Sequence, residues 1–245
     1  MAIKLGIIGA MEVEVDHLIA QLSEPTLLES AGMRFYAGTM HGTDTVVVRC
    51  GVGKVNAAMC TQKLIDQYAV THIINTGVAG ALDRALKVGD LVISTDAVEH
   101  DMNVGALGYQ PGLIPELVDM RQVHGKLSFE ADEQLRGICL RAAREVAPEV
   151  KVVEGRVASG DVFVFEQDER DRIIGTFGAT CCEMEGAAIA HVCWRNSVPF
   201  AIVRAISDNA DATSQTEYRI YEADIARHCA GIVSRATELL AASQA

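Results

Sequence analysis

Short runs of β-branched residues alternate with longer alanine-rich segments from the start of this chain to its end. β-Branched residues favour strands, and segments with apolar residues every three or four positions favour helices. The alternation therefore predicts one α/β domain over residues 1–245, with a central mixed β-sheet flanked by helices. The predicted strands are 5–8, 34–38, 45–49, 72–76, 91–100, 152–158 and 200–206. The predicted helices are 14–22, 55–68, 130–146, 170–176, 186–196 and 221–242, and 101–127 is predicted to be a long irregular loop.

The bulk composition limits the function. With 245 residues, of which 49% are hydrophobic, the chain can fill one large core. The formal net charge of -12 argues against binding to nucleic acid. The seven cysteines are odd in number and lack CxxC spacing, which indicates reduced thiols in a cytoplasmic protein. No segment reaches the roughly 20 apolar residues of a membrane span, and the N-terminal run is interpreted as a strand rather than a signal peptide.

Charged residues at the ends of two apolar segments indicate a buried site. Segment 182–185 reads CEME, and segment 203–208 reads VRAISD. Burying a charge is costly unless the charge is paired or functional, so core packing does not account for these residues. A site that holds a sugar and protonates a base needs such groups.

Glycine turns follow four of the predicted strands, where an open α/β sheet gathers its ligand site. In the first turn, Glu12 is interpreted as complementing a helix dipole, whereas Glu14 is expected at the site. These two carboxylates argue against phosphate there. The turn at 50–56 resembles the first half of a nucleotide-binding motif, which is a weak signal by itself. The small residues of the turn at 75–81 allow either a ligand or a helix to approach the backbone closely, and the two interpretations are equally favoured. After the fourth strand, one of Phe163 and Phe165 is expected in the core, and Phe163 is the better candidate to stack on a purine.

Six segments, taken together and in order, resemble the 5′-methylthioadenosine/S-adenosylhomocysteine nucleosidases. They are 6–14 (GIIGAMEVE), 74–80 (INTGVAG), 87–90 (KVGD), 159–163 (SGDVF), 183–185 (EME) and 204–208 (RAISD). The resemblance covers nearly the whole chain and implies a homodimer of the nucleoside phosphorylase fold. It implies hydrolysis of the N-glycosidic bond of 5′-methylthioadenosine, S-adenosylhomocysteine and related 5′-substituted adenosines, with release of adenine. The implied partners are the nucleoside and water, without a cofactor or metal.

The resemblance also implies a role for individual residues. Asp208 would protonate N7 of the purine, and Glu14 would activate the attacking water with Arg204 beside it. Glu185 would accept hydrogen bonds from both ribose hydroxyls. The further substrate-binding residues it implies are Met11 and Met184 against the sugar, Val78 and Ser207, Phe163 and the Val164 backbone at the adenine, and Tyr218 near the 5′ group. Leu107, Tyr109 and Pro115 would cover the 5′ group in the partner subunit.

Two departures from the family pattern affect the site. Val78 stands where some relatives have serine, so a hydroxyl that could support Glu14 is missing and the set of water contacts is left open. Region 112–126 is longer and more polar than expected, with Arg121 and His124, which leaves the preferred 5′ substituent open. A purine nucleoside phosphorylase is an alternative, in which Arg204 and Lys54 are available to bind phosphate. An aminodeoxyfutalosine nucleosidase and a non-catalytic nucleoside-binding protein are further alternatives. The glycine turns also suggest a methyltransferase, but that reaction has no use for a base-protonating acid beside a water-activating one.

Overall fold

The computed structural model describes residues 2–115 and 125–243, and the side chains of 222–224 lie outside this description. Within the described ranges, ten strands form one sheet and two short strands form another. The strands are β1 (Lys4–Gly9), β2 (Ser23–Ser30), β3 (Met33–Met40), β4 (Thr43–Arg49), β5 (His72–Ala81), β6 (Leu91–Glu99), β7 (Ile114–Pro115), β8 (Gly125–Lys126), β9 (Phe129–Glu130), β10 (Val152–Ser159), β11 (Cys181–Glu183) and β12 (Phe200–Asp208). The helices are α1 (Glu12–Ile19), α2 (Lys54–Tyr68), α3 (Glu133–Val146), α4 (Gln167–Phe177), α5 (Gly186–Asn196) and α6 (Ser214–Ala242), with a 3-10 turn at Gly105–Leu107.

The large sheet is mixed, as the alternation of strands and helices predicts. Its order is β11-β10-β6-β12-β5-β1-β4-β3-β2, and β9 pairs with β6. The centre is parallel, since β5 runs parallel to both β1 and β12, whereas β3 pairs antiparallel with β4 and β2 at one edge. The carboxyl ends of the parallel central strands therefore meet at one edge of the sheet.

Helices cover both faces of the sheet and bury its apolar side chains. One core cluster packs α2 and α5 against one face, and a second packs α1, α3 and α6 against the other. A smaller third cluster lies beneath α4. Every residue of β12 is buried, as expected of a strand covered on both faces. Arg204 and Asp208 lie on this strand, so the fold forces their charges into the interior.

The predicted strands and helices all occur, with differences at their ends. Helix α6 begins at Ser214 rather than at 221, and α3 begins at Glu133 rather than at 130. Strand β2 was not predicted because almost all its residues are exposed, its two leucines are adjacent rather than alternating, and it contains Pro25. These are features of an edge strand that the apolar-alternation signal does not detect. Of the predicted loop 101–127, residues 116–124 lie outside the described ranges, and Arg121 and His124 lie among them.

All seven cysteines fall within the described ranges, and each is buried and free. Among the helices of residues 2–115 and 125–243, none combines the length and apolarity needed to cross a bilayer.

Candidate active site

A cavity of about 210 Å³ opens at the carboxyl ends of β1, β5, β11 and β12. Nine of the predicted site residues line it, namely Met11, Glu14, Val78, Phe163, Met184, Glu185, Ser207, Asp208 and Tyr218. Val164 lines a smaller adjoining pocket together with Phe163 and Asp208. The sheet therefore brings together residues that are up to about 200 positions apart in the chain.

Glu14 is held by backbone amides of two strand ends. Its Oε2 atom accepts hydrogen bonds from the amides of Ala10 at 2.6 Å and Met11 at 2.9 Å, and its Oε1 atom accepts one from Val78 at 3.2 Å. The side chain is only 1% exposed. Burial raises the pKa of Glu14, although Arg204 and the three amides oppose the shift. A fixed carboxylate with a raised pKa is suited to accept a proton from water.

Arg204 lies behind the cavity, fully buried, and pairs with Glu183. Its Nη2 atom donates to Glu183 and, at 2.5 Å, to Oδ1 of Asn75. The guanidinium also approaches Glu14 over Gly77, because a Cβ atom on that glycine would lie in contact with Nη1 of Arg204 and 2.5 Å from Oε1 of Glu14. Arg204 thus lies between two carboxylates, and only a glycine leaves room for this approach.

Glu183 is a buried residue whose role the sequence pattern did not reveal. Its carboxylate accepts from the Ser159 hydroxyl, from the Gly186 amide at 2.8 Å and from the Glu185 amide at 3.1 Å, in addition to Arg204. These bonds satisfy amides at the start of α5, which otherwise lack partners within the helix. Glu183 therefore fixes the backbone that carries Glu185. The one sequence feature that points to this role is the position of Glu183 two residues before Glu185 in the segment CEME.

Glu185 points into the cavity from the N-terminal end of α5. Its Oε1 atom accepts from the Gly53 amide at 2.9 Å, and its Oε2 atom lies 3.8 Å from Nη2 of Arg204. Burial and the nearby Glu183 carboxylate raise the pKa of Glu185 to about 7, against the opposing effects of Arg204 and the Gly53 amide. The residue is 4% exposed, so the cavity is its route to solvent and ligand.

Asp208 lies in the wall of the cavity, where β12 ends. Its Oδ1 atom accepts from the Ala210 amide at 2.9 Å, and its Oδ2 atom lies 2.7 Å from the Ser207 hydroxyl. The Ser207 hydroxyl and the Ala210 amide therefore hold both carboxyl oxygens of Asp208 in place.

Aromatic and thioether groups form the apolar part of the wall. Phe163 is 38% exposed and meets Tyr218 edge to face, with ring centroids 5.7 Å apart. The Tyr218 hydroxyl lies 2.9 Å from Sδ of Met11. The prediction that one of Phe163 and Phe165 is a core residue is wrong, since Phe165 is 41% exposed and lines a separate surface cavity. The backbone after β10 has left the sheet at this point, and Val164, between the two rings, is the residue that enters the neighbouring core cluster.

A charged network that was not predicted supports the turn before α2. The Lys54 ammonium donates to Glu99 at 3.0 Å and to Asp101 at 2.6 Å, and the Lys54 amide donates to Asp161 at 2.8 Å. Gly53 has a φ of 98°, and a Cβ atom there would lie 3.0 Å from Oδ1 of Asp161. The turn that presents the Gly53 amide to Glu185 is thus tied to two other strand ends.

Besides Arg204 and Val164, three predicted residues do not line this cavity within the described chain. Leu107 is 69% exposed, and Tyr109 and Pro115 are partly buried, all outside the cavity lining. Nor do the described residues contain a group of three or more histidine, cysteine, aspartate or glutamate side chains placed to hold a metal ion.

The fold and the cavity define a class of protein. Residues 4–243 match the family model described as the phosphorylase superfamily. A 5′-methylthioadenosine/S-adenosylhomocysteine nucleosidase of Shewanella loihica is 38% identical over 231 residues, which cover 94% of this chain and 96% of the relative.

Solved structures agree with this relationship. The nucleosidase of the same name from Neisseria meningitidis, in complex with methylthio-immucillin-A, has a TM-score of 0.90 and 34% identity, covering 96% of this chain and 99% of that one. The Colwellia psychrerythraea nucleosidase in complex with adenine has a TM-score of 0.89 and 34% identity, covering 97% and 95%. A futalosine hydrolase of Helicobacter pylori has a TM-score of 0.89 and 29% identity, covering 98% and 99%. The chain belongs to the 5′-methylthioadenosine/S-adenosylhomocysteine nucleosidase family of the phosphorylase superfamily.

Proposed function

We propose that this chain hydrolyses the N-glycosidic bond of 5′-methylthioadenosine, S-adenosylhomocysteine and related 5′-substituted adenosines. The observation that carries the proposal is the convergence of Glu14, Glu185 and Asp208 on one cavity from three separate strand ends. The proposal is supported by relatives whose names state this activity, and by the adenine complex of one of them.

The base end of the substrate is assigned to Asp208 and Phe163. Phe163 offers an exposed ring face for stacking, and the Val164 backbone lies in the adjoining pocket. Asp208 donates a proton to N7 of adenine as the bond between C1′ and N9 breaks, so that adenine leaves as a neutral molecule. Ser207 steadies the carboxyl group before and after the transfer.

The sugar end is assigned to Glu185, Met184 and Glu14. Oε2 of Glu185 remains available to ribose hydroxyls because the Gly53 amide binds Oε1. The negative charge of Glu185 also favours the positive charge that develops on the ribose ring as the bond breaks. Water attacks C1′ and loses its proton to Glu14, whose position is set by three backbone amides.

The geometry argues against the phosphorylase alternative. In the glycine turns, amides that could bind phosphate already bind internal carboxylates: those of Ala10 and Met11 bind Glu14, and that of Gly53 binds Glu185. The cations proposed for phosphate are also paired, Arg204 with Glu183 and Lys54 with Glu99 and Asp101. An incoming phosphate would therefore meet carboxylates rather than free donors.

The deciding experiment measures adenine release from methylthioadenosine in phosphate-free buffer. The proposal expects full turnover that added phosphate does not increase. Turnover that requires phosphate would establish the phosphorylase alternative, and no turnover on any 5′-substituted adenosine would refute the enzyme assignment. Aminodeoxyfutalosine belongs in the same assay, because the futalosine hydrolase shares this fold at nearly the same TM-score.

We also propose a homodimer in which Leu107, Tyr109 and Pro115 cover the 5′ end of the partner's site. Val52 lines the cavity and is 51% exposed, and Leu107 and Val55 are 69% and 76% exposed, so apolar side chains are available at the surface for a partner subunit to cover. A Leu107→Asp variant should weaken the dimer in sedimentation analysis and raise KM. A monomeric wild type would refute this arrangement.

The free, buried cysteines support a cytoplasmic location.

A further inference from the structure

A second cavity continues from the active site on the far side of Met11 and Val52. It has a volume of about 320 Å³ and shares Ala10, Met11 and Val52 with the active-site cavity. Its far wall contains Glu12 and Arg49. The apolar wall of the active site therefore leads directly to a pair of opposite charges, which the proposed catalytic mechanism does not use.

The Glu12 and Arg49 side chains are placed to bind a ligand of mixed charge. Arg49 ends β4 in register with Gly9 of β1, and Glu12 begins α1. Nη1 of Arg49 and Oε2 of Glu12 are 3.8 Å apart, beyond hydrogen-bond distance, and the side chains are 54% and 71% exposed. The two groups therefore do not satisfy each other, and each retains hydrogen-bonding capacity for a third molecule.

The direction of the substrate connects this pair to the reaction, and the inference rests on the proposed function. Asp208 and Phe163 take the base and Glu185 takes the ribose, so the 5′ substituent extends toward Met11 and its neighbours. We infer that the groove beyond Met11 and Val52 is a subsite for a zwitterionic α-amino-acid group on the 5′ substituent, with Arg49 binding its carboxylate and Glu12 its ammonium. A neutral methylthio group would stop short of this subsite.

The first test compares two substrates in matched variants. The kcat/KM values for S-adenosylhomocysteine and methylthioadenosine are measured for wild type, Arg49→Gln and Glu12→Gln. Because both groups are exposed, the ratio of the two values should fall about threefold to fivefold in each variant, the range of a surface ion pair. Arg141→Gln is the control, since Arg141 forms an exposed ion pair with Glu145 on α3, lines neither this cavity nor the active site, and should leave the ratio unchanged.

A second test separates the two charges. Adenosine thioethers with a 5′-(3-carboxypropyl) or a 5′-(3-aminopropyl) group carry only one of them. Arg49→Gln should slow hydrolysis of the carboxylate compound selectively, and Glu12→Gln that of the amine. Equal losses on both compounds and on methylthioadenosine, or no losses, would overturn the subsite.

A binding measurement keeps this inference separate from the proposed function. Calorimetry gives the Kd of S-adenosylhomocysteine and methylthioadenosine for the Asp208→Asn variant, alone and combined with Arg49→Gln. Selective weakening of S-adenosylhomocysteine binding would support the subsite even if wild type failed to release adenine. An unchanged Kd ratio in an enzyme that does release adenine would refute the subsite alone.

Discussion

The Glu185 carboxylate, which we propose binds the ribose, should give the enzyme a defined pH dependence. Burial and the Glu183 carboxylate raise the pKa of Glu185 to about 7. Only the ionised form offers Oε2 as a strong acceptor to the ribose hydroxyls. With this pKa, about nine tenths of the free enzyme is competent at pH 8 and about one tenth at pH 6, so kcat/KM for methylthioadenosine should fall about tenfold between these values.

The Glu185→Gln variant isolates this group from its neighbours. Glutamine cannot ionise, so its kcat/KM should be lower than that of wild type, by about tenfold to a hundredfold for lost charged hydrogen bonds, and nearly flat from pH 6 to pH 8. Initial rates at low substrate concentration across this range provide the measurement. A tenfold fall that persists in Glu185→Gln belongs to another group, such as Glu14, and would refute the reasoning. A flat wild-type profile would refute it equally.

The same shift predicts how stability depends on pH. The folded state holds the Glu185 proton more tightly than the unfolded chain, whose ordinary pKa is 4.5. This contribution to stability is therefore fully present below about pH 4.5 and is lost as pH rises through about 7, a change of roughly 3 kcal/mol at most. The free energy of unfolding, measured with urea, should fall more between pH 5 and pH 8 in wild type than in Glu185→Gln. Parallel losses would contradict the assigned shift.

Four further variants test the rest of the site. Asp208→Asn and Glu14→Gln should each lower kcat on the order of 10²–10⁴-fold while circular dichroism shows an intact fold, and near-wild-type turnover in either variant would remove its assigned role. Gly77→Ala puts a methyl group 2.5 Å from Oε1 of Glu14, so it should lower the free energy of unfolding by about 1–3 kcal/mol and reduce kcat, as denaturant titration and assay can check. Lys54→Met should loosen the turn whose Gly53 amide binds Glu185, so it should raise KM more than it lowers kcat. Lys63→Met on the same helix is the control, because it loses only a contact to Ser30 and should match wild type.

The parts of the fold that the sequence predicts are those specified locally. Buried strands such as β5 and β12 are continuous apolar runs, so their positions follow from composition. The edge strand β2 lacks that signal because it has no buried face. The start of α6 was placed several residues late because its first turns are polar and carry no apolar repeat.

Part of the site is predictable from the rule that the carboxyl ends of parallel strands lie at one edge of a sheet. That rule places Glu14, Arg204 and Asp208 together without any knowledge of packing. It does not specify partners, because they depend on loop geometry. The bond from the Gly53 amide to Glu185 joins residues 132 positions apart, and no pattern in either segment indicates it. The pairing of Arg204 with Glu183 is likewise a product of the folded structure.

The occupation of turn amides by internal carboxylates has a consequence for how this superfamily can change its chemistry. The amides of Ala10 and Met11 form a small anion hole that the chain fills with its own Glu14. Exchanging that one side chain for a small residue would leave the same amides free to bind an external oxyanion instead of the Glu14 carboxylate. The choice between hydrolysis and phosphorolysis can therefore rest on a side chain that acts as a built-in anion, while the sheet that presents it stays unchanged.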